Sequence, residues 1–326
     1  MELEVVFLGT GGAVPTARRG LPATLVTRGG DRMLFDCGEG TQRQLLRSVG
    51  LLDLPEIFLT HFHADHVLGL PGMLKSFSLR GRDAPLRIFG PPGLTRLWRE
   101  RLGPLVGRMP YPLELIELDP SAPLMRDEYA VVPFRVEHRG DAYGYAIVEQ
   151  PRPGRFNEAL AIELGVEPGP DFGRLHRGET VSGSEGPVTP ERVVGPERPG
   201  RKLVLAGDCT PSPSTRDAAQ GADLLVHEAS FTSEEAARAR ETGHSTAAGA
   251  AELAAAAGVE LLALIHVTPR YGGGELRAEA DANFPGTIVP RDFDRIEIPF
   301  AERGRPVHVR GDRGPETRTA PSSEGD

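Results

Sequence analysis

Short apolar runs bounded by glycine, proline and polar residues recur along the chain, a pattern typical of β-strands. The predicted strands are Leu3–Leu8, Pro22–Val26, Arg32–Asp36, Glu56–Leu59, Leu86–Phe89, Tyr129–Arg135, Tyr143–Glu149, Lys202–Ala206, Leu224–Glu228 and Leu261–Val267. Helical periodicity predicts helices over Thr41–Val49, Gly93–Leu105, Glu234–Arg240 and Ala247–Ala257. An early meander of strands is followed by strands that alternate with helices. The pattern therefore predicts an α/β fold in which two sheets are sandwiched between helices.

Two stretches lack this periodicity. Residues 151–201 are rich in glycine, proline and charge, and a long connection of this kind is usually functional or mobile. Residues 311–326 are polar with no apolar period, so we expect a disordered tail. We therefore expect one domain over residues 1–310, with residues 151–201 as an insertion.

Composition narrows the class of protein. A hydrophobic share of 39% in 326 residues is sufficient for a substantial core, and the formal charge of −9 does not indicate a general nucleic-acid binder. Local basic patches are still compatible with that charge. The distant cysteines Cys37 and Cys209 form no disulfide framework, which favours a reducing compartment. Neither a signal peptide nor a run of about 18 apolar residues is present, so we expect a cytoplasmic protein with no membrane partner.

A cluster of histidines provides the first chemical clue. His61, His63 and His66 lie within six residues, together with Asp65, directly after the predicted strand Glu56–Leu59. A single buried histidine is more often a core residue than a ligand, but imidazole and carboxylate together are the usual zinc ligands of hydrolytic sites. In an extended loop, residues i and i+2 point the same way, so this segment can serve two metals. The sequence thus predicts a metal-dependent hydrolase.

Thr60–His66 resembles the His-x-His-x-Asp-His motif of the metallo-β-lactamase superfamily. More narrowly, the chain from Phe7 to about Phe300 resembles the ribonuclease Z family of tRNA 3′-processing endonucleases. Leu34–Gln42 is similar to a segment of that family, His227–Ser230 resembles its His-Glu-Ala-Thr motif, and His244–Thr246 matches its His-Ser-Thr motif. The superfamily motif alone says little about the substrate, whereas its combination with these motifs is specific.

The resemblance implies a complete two-zinc site within a metallo-β-lactamase αββα sandwich. The implied ligands are His61, His63 and His138 for one zinc, Asp65, His66 and His266 for the other, and Asp208 as the bridge. Without the resemblance, His138 and His266 are equally compatible with core or surface positions. The same ligand types also accept manganese.

The resemblance also implies the reaction, which is removal of the 3′ trailer from a tRNA precursor. Cleavage leaves a 3′-hydroxyl on the tRNA and a 5′-phosphate on the trailer, and several residues have implied roles in it. His244 is the candidate general acid, and Glu228 would orient it and favour its charged form. Asp65 could align or deprotonate the attacking water. His227 would support the site without being a metal ligand itself. His244 also precedes a predicted helix, so capping that helix is an alternative role.

Residues 151–201 resemble the flexible arm, or exosite, with which the family clamps the body of tRNA, and Gly169-Pro170 matches a motif of that arm. Phosphate contacts position a nucleic acid without reading its sequence. The implied phosphate-binding residues are Arg152, Arg155, Arg174 and Arg177. An ordinary charged hairpin is the alternative. The family is usually a homodimer, which we expect here.

The loop Pro15–Gly20 departs from the family's Pro-x-Lys-x-Arg-Asn motif. Pro15 and Arg19 match, so Arg19 is a candidate RNA contact, but Ala17 and Gly20 differ. In the family this loop lies near the tRNA 3′ end, so the position of the cut relative to CCA stays open.

Two other functions are compatible with parts of the pattern. A hydrolase of this superfamily that acts on a small ester, thioester or cyclic nucleotide would share the histidine motif but has no use for the insertion. A non-catalytic RNA-binding relative would typically have lost ligands, whereas here each position of the ligand pattern is filled.

Overall fold

The structure is a computed structural model that describes residues 1–50 and 54–311. The chain forms two compact units. The larger comprises residues 1–124, 131–147 and those from 202 onward, and the smaller comprises residues 125–130 and 148–201. The tail predicted over residues 311–326 lies, after Gly311, outside the described residues. Within the described ranges, no helix combines the length and apolar character needed to span a bilayer.

The strands lie mainly in two mixed sheets. They are β1 (Leu3–Gly9), β2 (Ala23–Arg28), β3 (Asp31–Phe35), β4 (Glu56–Phe58), β5 (Leu86–Gly90), β6 (Leu113–Glu117), β7 (Leu124–Met125), β8 (Tyr129–Arg135), β9 (Tyr143–Glu149), β10 (Val181–Gly183), β11 (Gly186–Val188), β12 (Lys202–Leu205), β13 (Leu224–Glu228), β14 (Leu262–Ile265), β15 (Arg295–Glu297) and β16 (Val307–Val309). Among the described residues, one sheet has the order β16-β15-β1-β2-β3-β4-β5-β6 and the other β14-β13-β12-β9-β8-β7. β3 to β6 are parallel, as are β12 to β14, so their carboxyl ends share an edge. The predicted pair of sheets is confirmed.

Helices connect the strands of both sheets. They are α1 (Thr41–Arg47), α2 (Ala64–Val67), α3 (Gly69–Leu79), α4 (Leu94–Leu97), α5 (Gly103–Val106), α6 (Glu158–Glu163), α7 (Pro170–His176), α8 (Pro190–Val193), α9 (Pro213–Ala219), α10 (Ala236–Thr242), α11 (Ala247–Ala257) and α12 (Gly273–Asp281). A π-helical turn at Trp98–Leu102 joins α4 to α5, so the predicted helix Gly93–Leu105 is interrupted. Thr246 caps α11 by accepting a hydrogen bond from the Gly249 amide at 3.1 Å.

Aromatic packing fixes the strand that delivers the histidine motif. The Phe58 ring of β4 stacks on Phe35 and Phe89, with centroid distances of 5.0 and 4.6 Å, and meets the edge of Tyr145 at 5.5 Å. The Tyr145 hydroxyl donates a hydrogen bond to the Leu59 carbonyl at 2.6 Å. The end of β4 is therefore held on three sides immediately before the motif begins.

The smaller unit is more regular than the sequence predicts. Residues 151–201 contain α6, α7, α8 and the antiparallel hairpin β10–β11. A core of its own includes Ala161, Val166, Leu175, Val181, Val188 and Val193. At its base, the buried Arg201 guanidinium donates to the Glu149 carboxylate at 2.7 and 2.8 Å. Because each element spans only three to seven residues, no periodicity long enough to recognise appears in the sequence.

We expect Phe58→Ala to lower the free energy of unfolding by about 3–5 kcal/mol, because it removes a fully buried ring and leaves a cavity. Denaturant unfolding followed by circular dichroism would measure the change. Leu79→Ala is the control, since the Leu79 side chain is 88% exposed and its truncation should change stability by under about 0.5 kcal/mol. Equal effects of the two substitutions would contradict this prediction.

Candidate metal centre

Loops that follow four strand ends bring histidines and aspartates to one point. Thr60–His66 follows β4, while His138, Asp208 and His266 follow β8, β12 and β14. The resulting groups are His61, His63, His138 and Asp208, then Asp65, His66 and His266, and a third of Asp208, His244 and His266. Within each group, the ligand atoms lie within 4.8 Å of one another. Residues that are as much as 205 positions apart thus form one polar cluster.

Asp208 contacts members of both sets of candidate ligands. Its Oδ2 lies 3.2 Å from His266 Nε2, 3.4 Å from His66 Nε2 and 3.9 Å from His61 Nε2. Asp65 Oδ2 lies 3.3 Å from His266 Nε2. One carboxylate oxygen of Asp208 thus lies near imidazoles of both groups.

Two candidate ligand atoms lack the hydrogen-bond partners that burial normally requires. His61 Nε2 and His66 Nε2 are buried and form no hydrogen bond with any described residue. Burial lowers the pKa of His61, which favours the neutral imidazole that a cation binds. Although partial burial opposes the shift, hydrogen bonding from His266 and the nearby His66 lower the pKa of Asp65 below its usual range. A neutral imidazole at His61 and an ionised carboxylate at Asp65 are the forms in which these side chains bind divalent cations.

Asp36 orients two of these imidazoles. His66 Nδ1 donates to Asp36 Oδ2 at 2.7 Å. His61 Nδ1 lies 3.0 Å from Thr60 Oγ1, which in turn donates to Asp36 Oδ2 at 2.9 Å. Because each Nδ1 carries the proton, each Nε2 presents its lone pair to the cluster. Asp36 is held at φ 59°, a left-handed conformation that few non-glycine residues adopt.

Glu228 performs the same task on the opposite side of the cluster. His266 Nδ1 lies 2.7 Å from Ser230 Oγ, which donates to Glu228 Oε2 at 2.7 Å. The other oxygen, Oε1, accepts from His244 Nδ1 at 2.7 Å. Although burial opposes the shift, this bond raises the pKa of His244 to about 9. Glu228 therefore links a candidate ligand to a protonated histidine beside it.

His227 lies outside the cluster. It is fully buried, its Nδ1 donates to the Glu228 carbonyl at 2.8 Å, and its Nε2 lies 3.6 Å from Cys209 Sγ. Burial lowers its pKa, so the ring is neutral. A supporting role for His227 stays a prediction.

The loop between β1 and β2 packs directly on the cluster. The Ala13 amide donates to Asp65 Oδ2 at 2.9 Å. A Cβ added to Gly12 would lie 2.3 Å from His266 Nδ1, closer than such atoms approach. Only glycine at position 12 therefore allows the backbone to lie against the His266 ring.

Four of the five arginines predicted to contact RNA form contacts within the protein. Arg19 Nη1 donates to Thr10 Oγ1 at 2.6 Å and to the Pro290 carbonyl at 2.8 Å. In the smaller unit, Arg174 pairs with Glu179 and Asp171 at 2.9 and 3.1 Å.

The remaining residues of that set lie on the same unit. Arg177 Nη2 lies 3.6 Å from Glu179 Oε1, and Arg152 Nη2 donates to the Pro199 carbonyl at 3.4 Å. Arg155 is exposed, and Gly169 and Pro170 begin α7. Because an exposed ion pair stabilises by only about 0–1 kcal/mol, a phosphate could replace the carboxylate partners.

The sequence reasoning missed Asp36, Thr60 and Ser230, which set the orientation of the candidate ligands. The available signal was their position: each lies at a strand end, within a segment already singled out for other residues. Gly12 and Ala13 were missed because nothing in the glycine-rich turn indicates what it packs against.

Comparison with known proteins identifies the family. Residues 19–115 match the metallo-beta-lactamase superfamily, and residues 187–267 match a beta-lactamase superfamily domain. Ribonuclease Z from Gemmatimonas aurantiaca is 46% identical over 307 residues, covering 93% of this chain and 98% of that protein. This chain belongs to the ribonuclease Z family. Ribonuclease Z from Haloferax volcanii is also 46% identical, over 93% of this chain and 97% of that protein.

Solved structures agree with membership of the ribonuclease Z family. Human tRNase Z, short form, superposes with a TM-score of 0.65 at 27% identity, covering 91% of this chain and 99% of that one. The metallo-beta-lactamase fold protein YhfI from Bacillus subtilis gives a TM-score of 0.67 at 19% identity, over 91% of this chain and all of that one. The predicted metallo-β-lactamase fold is confirmed.

We expect Gly12→Ala to reduce metal affinity by about 10- to 100-fold, because the added methyl group displaces the His266 ring. Metal content after dialysis, measured by atomic emission, would show the loss. Gly274→Ala is the matched control, since nothing lies within 4 Å of a Cβ there. Full metal content in the Gly12 variant would contradict the packing argument.

Proposed function

We propose that this protein removes 3′ trailers from tRNA precursors as a divalent-metal-dependent endoribonuclease. The products are a 3′-hydroxyl on the tRNA and a 5′-phosphate on the trailer. The observation that carries the proposal is a complete histidine and aspartate cluster in a chain that is 46% identical, over 93% of its length, to a ribonuclease Z. These relatives do not favour the small-ester alternative.

The cluster would hold two zinc ions, with manganese as a possible substitute. His61, His63 and His138 would bind one ion, Asp65, His66 and His266 the other, and Asp208 both. When bound, such cations make water more acidic and offset the negative charge that develops on a phosphodiester.

His244 and Glu228 would handle the proton that the departing 3′ oxygen needs. Glu228 holds His244 Nδ1 and keeps the ring protonated, with a pKa of about 9. His244 Nε2 can then donate its proton to the oxygen as the phosphorus–oxygen bond breaks. Asp65, oriented by Ala13, would align the attacking water.

The smaller unit would hold the body of the tRNA. Arg152, Arg155, Arg174 and Arg177 would contact phosphates, and Gly169 with Pro170 would present the start of α7. Arg19 is a further proposed RNA contact. We also propose a homodimer and a cytoplasmic location.

Incubation with a precursor tRNA, with and without a chelator, tests the function. We expect a single cut at the 3′ end of the acceptor stem, loss of cleavage after chelation, and recovery on adding zinc. Mapping both product ends to the nucleotide would also fix the position of the cut relative to CCA. Metal-loaded protein that leaves the precursor intact would overturn the proposal.

We expect His244→Ala to slow precursor cleavage by at least about 100-fold with metal content unchanged, because it removes the general acid. Hydrolysis of bis(4-nitrophenyl) phosphate should be largely spared, since nitrophenolate leaves without a proton. Asp208→Ala should instead lose metal and both activities. His308→Ala, outside the cluster, is the control for histidine removal. Equal loss on both substrates for the His244 variant would exclude its role as an acid.

We expect deletion of residues 154–199 to abolish precursor cleavage and to spare hydrolysis of bis(4-nitrophenyl) phosphate. The deletion is feasible because residues flanking it on both sides stay paired: the Glu149 amide donates to the Arg201 carbonyl at 2.9 Å, so the remaining ends lie near each other. Binding of tRNA by the intact protein should weaken steeply as salt rises. Unchanged precursor cleavage by the deletion variant would remove the smaller unit from the proposal.

A further inference from the structure

The loop over residues 10–20, here called the site loop, contains no candidate ligand yet contacts two of them. The Ala13 amide donates to Asp65 Oδ2, and Gly12 lies against the ring of His266. Ala13 has φ 64°, a left-handed conformation that costs an alanine about 1–2 kcal/mol. Contacts elsewhere must therefore hold the loop in this position.

Asp292, far along the chain, accepts hydrogen bonds from both ends of the site loop. Its Oδ1 accepts from the Thr10 amide at 3.1 Å and from the Thr10 hydroxyl at 2.7 Å. Its Oδ2 accepts from the Gly20 amide and from Gln44 Nε2, both at 2.6 Å. Asp292 is only 5% exposed, so these four donors face one buried carboxylate. Losing them would leave several buried donors unsatisfied.

Arg19 determines which groups donate and which accept in this network of hydrogen bonds. Its guanidinium only donates, so Thr10 Oγ1 accepts from Arg19 Nη1 at 2.6 Å and donates its own hydrogen bond to Asp292 Oδ1. Arg19 Nη1 also donates to the Pro290 carbonyl, two residues before Asp292. The positive charge of Arg19 thus lies close to the buried negative charge of Asp292.

We propose that Asp292 is a positioning residue for the reaction. It closes the site loop through Thr10 and Gly20, so that the Ala13 amide orients the Asp65 carboxylate and Gly12 supports His266. The catalytic consequence rests on the proposed function, because it requires Asp65 to act in cleavage. The claim that Asp292 holds the loop in place, here called the mechanical claim, does not depend on the proposed function.

Asp292→Asn and Thr10→Val remove the contacts, and each has a matched control. Asp294→Asn makes the same chemical change two residues away, in a carboxylate that accepts from Arg291, His308 and Gly311. Thr10→Ser keeps the hydroxyl that relays the bond. Should Asp292→Asn fail to fold, the nearly isosteric pair at Thr10 still tests the proposal.

Limited trypsin digestion gives a readout that needs no activity, because Arg18 and Arg19 lie within the site loop. We expect cleavage after these residues to be faster in Asp292→Asn and Thr10→Val, with the controls resembling the wild type. Unchanged protection of the loop in both variants would overturn the mechanical claim, whether or not the protein cuts tRNA.

Kinetics separate positioning from contact with RNA. We expect kcat to fall by about 10- to 100-fold on precursor tRNA and on bis(4-nitrophenyl) phosphate, with unchanged KM, as for other partners that orient metal ligands. Metal content after dialysis should fall, or metal affinity should weaken, in the same variants. A rise in KM for the precursor alone, with hydrolysis of the small phosphodiester unaffected, would overturn positioning and make the site loop an RNA contact. Failure of the wild type to cut precursors would count against the proposed function, while the digestion result would still stand.

Discussion

A hydrogen bond at the Nδ1 of an imidazole decides which of its two nitrogens is available to a cation. In this protein, two buried carboxylates outside the set of candidate ligands, Asp36 and Glu228, accept that bond. Both act partly through a hydroxyl, Thr60 in one case and Ser230 in the other. Because a hydroxyl can accept from a ring nitrogen and donate to a carboxylate, one acidic residue serves two histidines. Removal of either acid would therefore disturb two rings together.

The fold and the composition of the site could be predicted because their signals are local. His61, His63, Asp65 and His66 lie within six consecutive positions after a buried strand, so their proximity needs no knowledge of tertiary structure. The parallel strands β12 and β14, which end at one edge, then account for the convergence of Asp208 and His266. The link between these segments and tRNA processing could be predicted only from the family resemblance.

Hydrogen-bond partners that lie far apart in the chain could not be predicted from the sequence. Thr10 and Asp292 are 282 residues apart, and nothing near either residue indicates the other. Arg19 illustrates the same limit, since the motif favoured an RNA contact while the fold gives its guanidinium acceptors inside the protein. The helices and hairpin of residues 151–201 were missed because each spans only three to seven residues, too few for a periodic pattern to be recognised.

The order of the chain has a consequence for biosynthesis. The first cluster residues, His61 to His66, emerge from the ribosome well before His266, and Asp292 follows later still. At about 5–20 residues per second, a nascent chain spends roughly ten to forty seconds with an incomplete set of candidate ligands. A complete set of candidate ligands is therefore available only after His266 has been synthesised, so the position of this one residue in the chain controls when a metal can be fully bound.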